Sequence, residues 1–178
     1  MNLLHSIKAH GRDSFVNVVI EIPTGSLSKI EYDQEKETFN IDRVLSTNLS
    51  FPFNYGFIPG TWEADADPLD AVVLSSKPLQ TGNIVETRVI GMLATTDEKG
   101  TDTKLITVLN SETDSTLTKL NTVEDLDKQT LANIEYFYKN YKIIEPNKWV
   151  DINGYSSKNI AETKLSEAIE YYHKHFQK

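Results

Sequence analysis

Apolar and polar positions alternate along the first two thirds of the chain. In SFVNVVIEI (14–22), Val16, Val18, Ile20 and Ile22 recur at a period of two and leave Glu21 on the other face, the pattern of a strand with one buried side. SLSKIEYD (26–33) repeats it, with Ile30 and Tyr32 on one face and Lys29, Glu31 and Asp33 on the other. Further strands are predicted over 38–44, 71–74, 84–94 and 103–109, the last two flanking DEKGTD, a polar connection that contains a glycine. Short strands separated by turn signals predict a small barrel or sandwich. The period then changes. Leu131, Ile134, Tyr138 and Tyr141 in 129–142, and Leu165, Ala168, Ile169, Tyr172 and Phe176 in 161–176, recur at helical spacing. Helices following a β body predict an α+β fold, with both helices packed on one side of the barrel. No repeat, low-complexity tract or linker divides the chain, so 1–178 is expected to be a single domain.

One segment breaks the apolar logic. ADADPLDAVVL (64–74) crowds Asp65, Asp67 and Asp70 into the mouth of a predicted buried strand. A solvated acidic turn is one reading. A calcium loop of the EF-hand kind is a second, and it fails, because Pro68 and Leu69 stand where a further ligand and a glycine are required and no glutamate closes a twelve-residue loop. A magnesium site is the third, since hard divalent ions take carboxylate oxygens. TTDEKGTDTK (95–104) adds Asp97 and Asp102 around a glycine turn, followed by Lys104. Two acidic loops at strand ends, with cations interspersed, suggest a multi-metal centre of the kind that attacks phosphorus with water.

Charge and composition narrow the classes. With 26 acidic and 18 basic side chains the formal charge is -8, which disfavours a nucleic-acid binder, including the oligonucleotide-binding role that small aromatic barrels often take. There are no cysteines, which excludes disulfides, thiolate metal sites and a cysteine nucleophile. No stretch approaches a membrane span, and Leu3 and Leu4 are too short an apolar run for a signal-peptide core. A cytoplasmic protein without a membrane partner is expected. His173 and His175, two apart on a helix, face different ways and are read as a solvated tail; His5 and His10 belong to no pattern.

Taken together, D-x-D-P-x-D at 65–70, VIEIP (19–23), KIE (29–31), Arg43, FPFNYGFIP (51–59), TDEKGTDTK (96–104), NYK (140–142) and KWV (148–150) resemble, in order and spacing, the soluble family I inorganic pyrophosphatases in their short prokaryotic form. The helix bearing Tyr141 departs from some relatives, with Tyr136 and Asn140 where they have histidines. The resemblance implies a closed OB-like β-barrel of about five strands with flanking helices, and hydrolysis of pyrophosphate to two phosphates with several Mg2+ ions per subunit. It implies that Asp65, Asp70 and Asp102 hold one activating ion, with Asp70 shared by a second. Asp97 and Asp102 would bind a third that arrives with substrate, and Glu31 would act through water. Asp67 is implied as general base. Lys29, Arg43, Lys104 and Lys142 would grip phosphate oxygens, Arg43 with a fork suited to bidentate contact, while Tyr55 and Tyr141 would donate phenolic hydrogen bonds. Glu21 would sit at the pocket edge and orient a basic neighbour. A homohexamer, two stacked trimers, is the implied assembly.

Overall fold

The computed structural model describes residues 1–176. Its strands are β1 (Val16–Ile22), β2 (Ser28–Asp33), β3 (Thr38–Val44), β4 (Asn54–Phe57), β5 (Asp70–Leu74), β6 (Ile84–Asp97), β7 (Gly100–Leu109) and β8 (Val150–Ser157). Its α-helices are α1 (Leu3–Ser6), α2 (Lys128–Asn140) and α3 (Lys158–Phe176). Strands β1, β4, β5, β7, β6 and β8 are neighbours in that order, and β1 also pairs with β6, which closes a five-stranded ring. The closure is possible because the 14-residue β6 uses one edge twice: Ile84–Thr87 pair with β1 and Gly91–Asp97 with β8. All ladder pairs are antiparallel except β5 with β7. Gly56 is required where β4 crosses β1, because a Cβ there would lie 1.9 Å from the Val19 carbonyl oxygen.

The alternation along the strands sorts side chains onto two faces. Val72, Ile90, Leu93, Ile106 and Val108 pack with Ile134, Phe137 and Tyr138 of α2. Ala71, Val73, Val89 and Leu105 pack with Ala161, Leu165 and Ala168 of α3. Neighbouring residues of one strand thus go to different helices, which puts α2 and α3 on opposite faces of the sheet. This corrects the expectation of helices on one side: helical periodicity shows which stripe of a helix is buried, not which face of a sheet receives it. β2 and β3 form a separate hairpin, tied to β1 by the Tyr32 N–H donating to Glu21 Oε1 at 2.8 Å and by Tyr32 stacking on Phe57 with ring centres 5.6 Å apart. Among the described residues no helix is long and apolar enough to cross a membrane.

Candidate active site

The acidic segment lies in the β4–β5 connection, which is laced shut. Ile58 N–H donates to the Leu69 carbonyl at 2.9 Å, and Leu69 N–H to Thr61 Oγ1 at 2.9 Å. Helix α3 pins it from outside through Trp62 N–H to the Ala168 carbonyl at 3.0 Å and an ion pair between Lys164 and Glu63. Between Asp65 and Asp67 the chain turns through Ala66 at φ 67°, a left-handed conformation that strains a residue with a Cβ by about 1–2 kcal/mol. The strain is held in place by the tied loop ends.

Strand register brings the second acidic group to the first. In the parallel β5–β7 pair Asp70 lies opposite Lys104, and in the β6–β7 hairpin Asp102 lies opposite Thr95. Lys104 Nζ donates to Asp70 Oδ2 at 2.9 Å and also to Asp102 Oδ1. Asp97 ends β6, and its Oδ2 accepts from Lys142 Nζ at 2.9 Å; Lys142 follows the end of α2 and donates as well to Glu98 at 3.1 Å. Lys29 and Arg43 are cross-strand partners in the β2–β3 hairpin. Lys29 pairs with Glu31. Arg43 donates to Asp42 Oδ2 at 2.8 Å and, through Nη1, to Glu145 Oε2 at 2.5 Å.

The candidate residues named from the sequence open onto one cavity of about 340 Å³. Its wall includes Glu21, Lys29, Glu31, Arg43, Tyr55, Asp65, Asp67, Asp70, Asp97, Asp102, Lys104, Tyr141 and Lys142, so every residue singled out from the sequence faces the same space.

The charges are unevenly compensated. Burial, with the Asp70 and Asp65 charges adding to it, pushes the Asp67 carboxyl up to about 6. Burial also raises Asp70, although the Lys104 ammonium opposes it. Burial takes Glu21 to about 8, against the stabilising Tyr32 N–H. Asp97 goes the other way: burial would raise it, but the hydrogen bonds from Lys142 and the Lys99 backbone outweigh that and hold it low.

A model of the inorganic pyrophosphatase family matches residues 18–173. The chain belongs to the inorganic pyrophosphatase family. A family member from Saccharolobus solfataricus is 46% identical over 155 residues, covering 87% of this chain and 90% of that one. One from Helicobacter pylori is 42% identical over 172 residues, covering 97% and 99%. The crystal structure of the inorganic pyrophosphatase from Thermus thermophilus superposes with a TM-score of 0.92 at 37% identity, covering 97% of this chain and 99% of that one.

The inorganic pyrophosphatase cavity of this chain contains groups that pattern reading passed over. Glu63, Glu98, Lys99, Lys148 and Tyr138 also line it. Lys148, within the KWV stretch, donates to Glu98 Oε1 at 2.7 Å and extends the Lys142 network. Tyr138 looked like one more residue of a helical stripe. Two expectations change. Glu21 accepts from the Tyr32 backbone rather than orienting a basic side chain. The histidines of α3 are not merely a solvated tail: His175 stacks on Trp62 with ring centres 6.0 Å apart. His5, at the other end of the chain, meets the Tyr172 hydroxyl at 2.8 Å.

Among the described residues no three acidic or imidazole side chains already converge on one point as a cage, because lysine ammoniums stand between the carboxylates. The donor set nonetheless fits hard divalent ions: it is all carboxylate oxygen, and Asp65, Asp67, Asp70, Asp97 and Asp102 line one cavity.

Proposed function

We propose that the chain hydrolyses inorganic pyrophosphate to two orthophosphates by an activated water in a site that holds several Mg2+ ions. The observation that carries this reading is the convergence of two acidic segments and four cationic side chains, Lys29, Arg43, Lys104 and Lys142, on one cavity in a member of this family. Asp65, Asp70 and Asp102 would hold one ion, with Asp70 shared by a second; Asp97 and Asp102 would hold a third, with Glu31 acting through water. When bound, such ions neutralise the polyanion and make water acidic enough to yield a nucleophile near neutral pH.

The chain's own groups do the rest. Lys104 is paired with Asp70 and Asp102, and Lys142 with Asp97 and Glu98, in the protein alone. With substrate and ions bound, Lys104 and Lys142 would turn their ammoniums to phosphate oxygens, and Asp70, Asp102 and Asp97 would be freed to hold the ions. No buried charge is stranded in the exchange, which keeps its desolvation cost small. From the β2–β3 hairpin, Arg43 brings a planar fork and Lys29 a point charge to the same cavity. Tyr55 and Tyr141 donate hydroxyl hydrogen bonds. Asp67 makes no ion pair among the described residues and takes the proton from the attacking water at its carboxylate oxygen.

Phosphate release from pyrophosphate is expected to vanish on exhaustive chelation and to return with magnesium, while organic phosphates are turned over poorly and single-stranded DNA is not retained. Activity that survives chelation sinks the multi-metal reading.

The assembly proposed with this reading is a homohexamer of two stacked trimers, and the compartment the cytoplasm. Closed symmetric assemblies are the rule for oligomers, and Tyr136, Ile143 and Ile144 around the end of α2 stand 60%, 61% and 61% exposed, an apolar patch suited to a subunit contact. Light scattering should give six chain masses; a monomer at working concentration rejects the assembly.

A further inference from the structure

Among the described residues, the Tyr138 hydroxyl is a buried side-chain polar atom to which no protein group offers a hydrogen bond. The residue is 3% exposed and lines the candidate active-site cavity. An unpaired buried hydroxyl weakens the fold, so its partner must come from outside the chain.

The hydroxyl cannot swing elsewhere. Its ring stacks on Phe53 with centres 5.5 Å apart at 24°, and meets Phe137 and Tyr141 edge-on at 5.6 and 6.2 Å. Clamped on three sides, the ring fixes where the oxygen points. Lys104 Nζ lies 5.5 Å from the centre of the same ring. Burial, opposed by the Lys104 charge, keeps the phenol protonated far above the ordinary tyrosine range, so it can always donate. A fixed donor close to an ammonium that leaves its carboxylates for substrate recognises an anionic oxygen better than it recognises water, which offers no charge to either.

We propose that Tyr138 is a substrate-binding residue whose hydroxyl donates to a phosphate oxygen alongside Lys104. This rests on the pyrophosphate reading and adds to it a group that pattern alone assigns to packing. The phosphate then becomes the outside partner that the hydroxyl lacks in the protein alone.

The test is Tyr138→Phe, which removes one oxygen and leaves the ring clamp intact. Wild type and variant are compared in steady-state hydrolysis of magnesium pyrophosphate and in binding of inorganic phosphate with magnesium present. The expected result is a fall of about tenfold in kcat/KM and a similar weakening of phosphate binding. The melting temperature of the metal-free, substrate-free protein should be unchanged or higher, since phenylalanine leaves nothing unpaired. Unchanged kcat/KM and phosphate binding would overturn the proposal, because the hydroxyl would then serve only packing or a resident water. A lower melting temperature would also overturn it, by showing that the hydroxyl has a structural partner. If wild type itself releases no phosphate from pyrophosphate, the functional reading fails, and the phosphate-binding arm still decides whether Tyr138 holds an anion.

Discussion

Asp67→Asn is expected to keep the fold and most of the metal affinity and to lower turnover by about two or more orders of magnitude, the usual scale for losing general-base help. The amide occupies the same space but has no basic oxygen to accept the proton. Three observations single out Asp67 among the carboxylates of the cavity. Asp70, Asp97 and Asp102 each accept from a lysine ammonium, whereas Asp67, like Asp65, makes no ion pair among the described residues. Its carboxyl is pushed up to about 6 by burial and by the Asp70 and Asp65 charges, close to where a base works best near neutral pH. It also stands on the strained Ala66 turn, whose tied ends hold it still. Bound cations draw its carboxyl below that value, so the acid limb of activity should lie below pH 6. Steady-state kinetics with saturating magnesium, beside a magnesium titration, separates the two effects; unchanged turnover moves the base to another residue.

Lys104→Met should destabilise the protein and disable it together. Lys104 has a side chain 5% exposed and donates to two carboxylates. Methionine fills similar volume but leaves Asp70 and Asp102 facing each other uncompensated. Stranding a fully buried charge costs about 3–5 kcal/mol. Because the Asp70 and Asp102 side chains keep 29% and 32% exposure, solvent screens part of this, and a loss of about 2–3 kcal/mol, below that scale, is expected here. Magnesium should recover much of it by supplying the missing positive charge. Turnover should not recover, since a cation aimed at developing phosphate charge is worth about a hundredfold or more in rate. Thermal melts with and without magnesium, and kinetics on the folded variant, read the two losses separately. A melting temperature indifferent to magnesium would contradict this account of the pair.

The ring and most of the site were legible in the sequence, for different reasons. β1 and β2 announced themselves by period-two alternation in the sequence, although β1 is buried on nearly every position because hydrophobic neighbours cover both its faces. β4 did not: NYGF is buried at all four positions and carries no period-two signal. β8 was missed because VDINGYSS is half polar and bends at Gly154, φ 102°. The predicted ends of β6 and β7, 94 and 103, fell short because pairing continues to Asp97 and from Gly100 through polar residues, where backbone hydrogen bonds rather than buried side chains hold the hairpin. That extension puts Asp97 and Asp102 on strands rather than in a loop. The aspartate candidates and Lys104 stood out from their clustering at strand ends, whereas Lys29, Arg43, Tyr55, Tyr141 and Lys142 came from the resemblance, because single charges and aromatic residues carry no pattern of their own. Tyr138, on the apolar stripe of a helix, gave no sign that its hydroxyl lacks a partner.

The closed ring also shapes how the molecule comes together in time. Val19 must meet Ile84 and Asp70 must meet Lys104, pairings between distant parts of the chain, and the second is parallel, which no hairpin can nucleate. Chains dominated by such contacts fold slowly, because the entropy of closing long loops is lost before the contacts repay it. A half-folded molecule therefore holds an acidic loop with none of its cationic partners in place, and its carboxylates repel one another. A divalent ion held as proposed, by carboxylates of both acidic segments at once, would then favour the last step of assembly over the partly folded states before it.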